Sequence, residues 1–301
     1  MKKTVAQGTF YLFISQAFVL ICGYVLHITL GRVLGPSDYG LFGFIISLLV
    51  WLEIVLGGAS GAATKRIAES PVIAKLIEKK SVYLQFFIAI ILFVLAFLFS
   101  PFLSRIFNDP KINFYFKIAI FDIPILAFYN IYIYLLNGLR FYKEQAVSSM
   151  SYVFSKLIFV IGLVFLGLSV TGALIGNIIA SVFGFLAGFY YFRRLAGKEE
   201  PEKNDVVNMI NLSGLLKLAV PFTIVGLLFN LLMSTDLWFV KGIIQSSAQV
   251  GYYVAAGTLA KALYFLFAAL SVALFPAITN SIAEGRTEQT KRYINQAFRF
   301  L

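Results

Sequence analysis

Residues 157–192 contain no charged side chain. A helix needs about 20 residues to cross the ~30 Å of bilayer hydrocarbon, so this run is too long for a single crossing. Gly167, Ser169, Thr171 and Gly172 place a tight reversal inside it. The sequence therefore predicts two antiparallel spans, 146–168 and 170–192. Hydrophobic residues make up 60% of the 301-residue chain before glycine is counted, and charged residues 13%. A soluble domain has about 45–50% and 25% respectively. Closed β-barrels would require short alternating segments with a polar lumen side, whereas the runs here are continuous. The fold class is an all-α polytopic membrane protein.

Eight spans are predicted, roughly 9–32, 39–64, 81–105, 114–137, 146–168, 170–192, 217–240 and 250–278. Pro101, Pro124, Pro221 and Pro276 fall near their ends or inside them, where kinks are tolerated if neighbours satisfy the freed carbonyls. The start, Met1-Lys2-Lys3 before an apolar run, resembles a signal peptide. However, the uncharged stretch from Thr4 to Gly31 exceeds an h-region and no small-residue cleavage pattern follows, so it is read as a retained span. With the N-terminus cytoplasmic, 18 of the 25 basic residues fall in inside segments, 4 in outside turns and 3 within spans. That asymmetry predicts a multi-pass protein of the cytoplasmic membrane with both ends inside. The net charge of +11 is then a topology and lipid-attraction signal and calls for no nucleic acid. One cysteine, Cys22, and one histidine, His27, exclude an intrachain disulfide and a histidine metal cluster. No cofactor is called for.

Residues 193–213 are charged, carry Pro201 and read as a cytoplasmic linker. They separate a six-helix lobe, 1–192, from a second lobe, 214–301. Residues 62–69 (Ala-Ala-Thr-Lys-Arg-Ile-Ala-Glu) and 277–284 (Ala-Ile-Thr-Asn-Ser-Ile-Ala-Glu) match at Ala62, Thr64, Ile67, Ala68 and Glu69. The recurrence predicts that spans 7 and 8 restart the pattern of spans 1 and 2, a parallel repeat about the membrane normal. Under that reading the second lobe holds only its first two helices, and 293–301 is the approach to a ninth; the chain is expected to be truncated.

Polar groups inside the spans carry the functional expectation. Glu53, Lys117, Asp122, Lys156, Asp236 and Lys261 lie within them, and a charge at a helix centre costs roughly 2.5–3.5 kcal/mol unless it faces protein or water. Lys117, near a span end, can snorkel. The plain alternative for the rest is pairwise neutralisation, since each sign occurs three times. Helical spacing aligns Glu53 with Gly57, Ser60 and Thr64, Gln16 with Thr9, Gly23 and His27, Asn177 with Ser181, Gly184 and Gly188, and Lys156 with Ser149 and Tyr152. In span 7, Thr223, Asn230, Ser234 and Lys241 align, with Asp236 on a neighbouring face; in span 8, Lys261 joins Gly257 and Thr258. Such stripes suit a water-filled cavity. Small-residue packing is the alternative, favoured for Gly184 and Gly188.

The turn Gly31-Arg32-Val33-Leu34-Gly35-Pro36-Ser37-Asp38-Tyr39-Gly40, followed by the octet at 62–69, resembles the polysaccharide-biosynthesis, O-antigen-flippase-type transporters of the multidrug/oligosaccharidyl-lipid/polysaccharide exporter superfamily. Leu218-Ala219-Val220-Pro221, Asp236, Val250-Gly251-Tyr252 and Phe275-Pro276 follow in the order seen in that family. The resemblance implies a two-lobed bundle of twelve or fourteen helices. It also implies that the bundle flips a polyprenyl-diphosphate-linked oligosaccharide by alternating access, with a proton or sodium ion as coupling cation. Leu237 departs from the basic residue common after the span 7 acid. On this reading Lys156 and Lys261 attract diphosphate, Gln16, Asn177 and Asn230 hold the glycan, and Glu53, Asp122, Asp236 and His27 couple the cation. A cation-coupled multidrug antiporter is the alternative, and it would have little use for deep lysines. A membrane glycosyltransferase or polymerase is the third reading; the outside turns are short and lack Asp-x-Asp.

Overall fold

The computed structural model describes residues 5–69, 74–196, 212–244 and 246–261. The chain divides into two compact units, Met1–Val254 and Ala255–Leu301; of the second, 255–261 are described and helical. Among the described residues there is no strand. Helix α1 is Val5–Val33, α2 Gly35–Glu69, α3 Ala74–Ile106, α4 Pro110–Ala119, α5 Asp122–Gly138, α6 Tyr142–Leu163, α7 Ser169–Leu195 and α8 Leu212–Ile243. A further helical run, 247–261, follows. Five stretches are long and apolar enough to cross a membrane, six if α4 and α5 count as one broken span.

Connections follow from local chemistry. Leu34 N–H still bonds Leu30 O at 2.9 Å, closing α1. Gly35 then takes φ +72°, a left-handed value that a Cβ disfavours. Pro36 opens α2, where its fixed φ suits a first turn. This is the physical content of the Gly-Pro pair in the turn motif. The reversal expected near 167 is present: the chain kinks within Val164–Leu168, where Gly167 stands at φ +86°, and Ser169 follows at +47°. Beyond it α7 packs back on α6, and a Cβ on Gly176 would stand 2.6 Å from Val160 Cα. The long apolar stretch 142–195 therefore makes two passes.

The fourth expected span, by contrast, is broken. Asp109 caps α4 by accepting from Lys111 N–H at 3.1 Å, with Pro110 behind it. The helix then bends 40° at Ile120 and Phe121 before α5 starts at Asp122. Pro124 contributes by removing a backbone donor in the first turn of α5. A proline inside an apolar run marks only that a kink is tolerable; where the helix yields depends on its neighbours.

Two large apolar clusters and a small third one, Leu126 with Tyr129 and Ile133, form the core among the described residues. One large cluster gathers Leu30, Phe44, Leu49, Ile112, Ile123, Val160 and Leu174. The other gathers Ala62, Ile67, Ile77, Ile131, Leu135 and Phe192. Along α5 and α7, Tyr129, Asn177 and Ser181 fall between these two. Helix α8 runs antiparallel along α2, with Gly226 against Ile54, Gly58 against Thr223 and Trp238 Nε1–H donating to Ser47 Oγ at 3.0 Å. The octet at 277–284, the approach at 293–301 and most of the 193–213 linker lie outside the described residues.

Candidate functional site

Three of the charged residues singled out from sequence meet. Glu53 on α2, Asp122 on α5 and Lys156 on α6 stand close enough for mutual electrostatic interaction. Asp122 is 1% exposed, while Glu53 and Lys156 are half-buried. Their helices differ, but each stripe faces the same interior because α5 and α6 both pack on α7, and α5 packs on α2.

Asn177 on α7 completes the group. Its Nδ2 donates to Asp122 Oδ2 at 2.5 Å. Asp122 Oδ1 and Asn177 Oδ1 are both buried without a well-aligned hydrogen bond, and the Ser181 hydroxyl stands beside the Asp122 carboxyl. An unpaired buried acceptor costs about 1–3 kcal/mol, so the pair has room to take a further donor or a cation. Tyr129 and Tyr152 wall the site, their rings stacked at 4.6 Å, and Lys156 Nζ lies 5.8 Å from the Tyr152 ring centre. Gly184 admits this aromatic pair: a Cβ there would stand 2.7 Å from the Tyr129 ring. Gly188 similarly accommodates Tyr132, with 3.1 Å to its Cβ, so both glycines pack side chains. The two tyrosines sit on the polar stripes of α5 and α6, but nothing in their spacing tells that they stack across helices.

The other expected site residues are placed elsewhere. Gln16 is exposed on α1. His27 Nδ1 and the Tyr39 hydroxyl share a hydrogen bond of 3.0 Å between α1 and α2. Asn230 lies on α8 with a buried, unpaired Oδ1. Asp236, exposed on α8, accepts from the Tyr253 hydroxyl at 2.7 Å. Lys261 is the last described residue, in the second unit. Lys117 lies 4.8 Å from the Phe97 ring centre.

Two charged pairs go beyond the sequence expectations. Lys241, aligned from sequence with the polar stripe of span 7, is buried at the end of α8. Its Nζ meets Asp109 Oδ2 at 2.8 Å and Ser247 Oγ at 3.4 Å. At the opposite end of the bundle, buried Glu78 accepts from the Tyr132 hydroxyl at 2.8 Å and pairs with Arg193 at 3.2 Å. The turn motif also has a use: Asp38 accepts from Ser169 at 2.7 Å, joining the α1–α2 turn to the α6–α7 turn. Among the described residues no group of three or more His, Cys, Asp or Glu could hold a metal ion.

Comparison with known proteins agrees with this architecture. The structure is similar to a point mutant of the Vibrio cholerae MATE transporter VcmN (TM-score 0.69, 16% identity, 98% of this chain and 69% of that one). It is similar to the MATE multidrug transporter DinF-BH, solved as a ligand complex (TM-score 0.68, 14% identity, 99% and 70%). It also resembles a MOP superfamily transporter from Pyrococcus furiosus, reported to have a binding pocket of reversed polarity (TM-score 0.60, 16% identity, 97% and 68%). The chain thus spans about two thirds of the length of these transporters. No curated protein matches it. Residues 5–281 match the family described as polysaccharide biosynthesis protein, and the chain belongs to that family.

Proposed function

We propose that the protein takes part in moving a polyprenyl-diphosphate-linked oligosaccharide across the cytoplasmic membrane, as a transporter and not an enzyme, with a proton or sodium ion driving the cycle. The observation that carries this reading is the Glu53–Asp122–Lys156–Asn177 cluster inside an apolar bundle. Packing alone requires no charges there, and each is costly in hydrocarbon. Asp122 Oδ1 and Asn177 Oδ1 offer two acceptors to an incoming cation or proton. Half-buried Lys156 offers a point charge to a phosphate. A lysine in the cluster favours an anionic substrate over a cationic drug.

The test is transport by the full-length protein in vesicles holding lipid-linked glycan. Lys156→Met is expected to preserve expression and abolish glycan transfer, and removing an acid should not restore it. Asp122→Asn is expected to uncouple transfer from the ion gradient. Wild-type transfer by Lys156→Met would defeat the diphosphate assignment and favour the multidrug antiporter.

A further inference from the structure

Helix α3 carries a buried polar stripe of its own, apart from the charged cluster. Glu78, Ser81 and Gln85 stand at i, i+3 and i+7, on one face of the helix, and are 4%, 2% and 0% exposed. Gln85 Nε2 donates to Leu56 O on α2 at 3.2 Å. Ser60 Oγ donates to the same carbonyl, also at 3.2 Å, and Ser60 lies on the Glu53 stripe of α2. Between Glu53 and Ser60 on that stripe, a Cβ on Gly57 would meet nothing within 4 Å. Polar groups therefore follow one another from Glu53, past open space at Gly57, to Ser60, across to Gln85, and along α3 to Glu78.

Side chains that only glue helices together use up their hydrogen bonds. Ser81 Oγ and Gln85 Oε1 are instead buried without a partner. Such atoms are costly to leave unpaired, and two of them one helical turn apart suit ordered water, which needs polar partners of this kind. Glu78 ends the stripe at the cytoplasmic end of the bundle. The Tyr132 hydroxyl from α5 donates to its Oε1 at 2.8 Å, and Arg193 from α7 pairs with the same oxygen at 3.2 Å. The Arg193 side chain is 55% exposed, which opens this end to solvent. The other charges here stand outwards or are paired. On α3, Lys75 is half-buried and Lys79 exposed; on α2, Lys65 is exposed and Arg66 pairs with Glu69 at 3.2 Å; on α8, Lys217 is exposed.

We propose that the α3 stripe carries the coupling proton between the Glu53–Asp122 pair and the cytoplasm, with Glu78 as its last acceptor. This rests on the transport reading and commits the coupling cation to a proton. With substrate seated against the cluster, Glu53 and buried Asp122 are shielded from water on that side, so a second way out is needed. The Glu53 carboxyl gives its proton to water at Gly57 and becomes a carboxylate. The excess proton passes Ser60, Gln85 Oε1 and Ser81 Oγ through ordered water. Glu78 takes it at Oε2, since Tyr132 and Arg193 both hold Oε1, and gives it to solvent.

Vesicles holding the full-length protein and a polyprenyl-diphosphate-linked oligosaccharide test this by two rates. One is net transfer driven by a pH gradient. The other is exchange at equal pH on both sides, which needs no proton release. Ser81→Ala with Gln85→Leu should slow net transfer by about tenfold or more, since positioned proton-transfer groups contribute at least that much, and leave exchange at the wild-type rate. Glu78→Gln should do the same. If the double variant fails to fold, Ser81→Ala alone should slow net transfer about threefold with exchange unchanged. Equal slowing of both rates would mark the stripe as structural and overturn the route, and so would no slowing of either. Wild-type transfer indifferent to the pH gradient would instead defeat proton coupling itself, and the route with it.

Discussion

The Asp109–Lys241 pair joins the cap of α4 to the end of α8 across 2.8 Å, with side-chain exposures of 14% and 2%. Breaking a buried pair from one side costs about 3–5 kcal/mol, because the remaining charge is left uncompensated. The two partners should not cost the same. Lys241→Met orphans Asp109, which keeps a small opening to solvent and still caps α4 through Lys111 N–H, so about 3 kcal/mol is expected. Asp109→Ala orphans a fully enclosed ammonium whose other contact is Ser247 at 3.4 Å, which points to about 5 kcal/mol. It also removes a helix cap, for about 1 kcal/mol more. In the double variant only the cap loss remains, so the coupling energy implied by these costs is about 8 kcal/mol. Reversible denaturant unfolding in mixed micelles, run as a double-mutant cycle, measures it. A coupling below about 0.5 kcal/mol, or Lys241→Met costing more than Asp109→Ala, would refute the reasoning.

Gly167→Ala should cost about 1 kcal/mol in the same unfolding assay, because φ is +86° and the added methyl meets nothing within 4 Å; an unchanged midpoint would show that the turn relaxes freely. Gly40→Ala should cost about 1–3 kcal/mol, since its Cβ would stand 2.6 Å from Gly251 N and 2.7 Å from Ser247 O, both backbone atoms; a wild-type melt would contradict that close approach. Replacing Asn204 by cysteine in a Cys22→Ala background should give a residue that impermeant maleimide reaches only from the cytoplasmic side of vesicles. Labelling from outside would reverse the orientation read from the basic residues.

Much of this architecture is legible in residue order. Span length and the absence of charge locate crossings because hydrocarbon imposes one length scale on all of them. The Gly167 reversal is predictable because no continuous helix of that length fits. The convergence of Glu53, Asp122, Lys156 and Asn177 is partly readable: periodicity says which residues share a face, and charges in hydrocarbon must face something polar. Periodicity does not say which helix a face meets. Asp109 and Lys241 are 132 positions apart, and each taken alone looks like an ordinary residue at a polar turn. Glu78 and Arg193 likewise look like parts of solvated cytoplasmic ends. The stacking of Tyr129 on Tyr152 leaves no trace in the sequence: aromatic residues abound here, so spacing does not distinguish ring packing from lipid contact.

The broken fourth span has a mechanical consequence. Helix α4 has ten residues, so it is a rod about 15 Å long. Asp109, gripped by Lys241, stands at one end; Asp122 follows directly after the bend at the other. At the bend the backbone bonds continue but tighten from i−4 to i−3, Phe121 N–H to Ile118 O at 3.2 Å and Ile123 N–H to Ile120 O at 3.1 Å, so the rod can swing there by adjusting one short turn. A swing of about 10° would carry the Asp109 end about 2.6 Å by simple leverage over that length. That displacement, added to a 2.8 Å separation, is enough to part the pair, while the Asp122 end, at the pivot, barely moves. The Asp109–Lys241 fastening can therefore release while the buried carboxylate keeps its bond to Asn177.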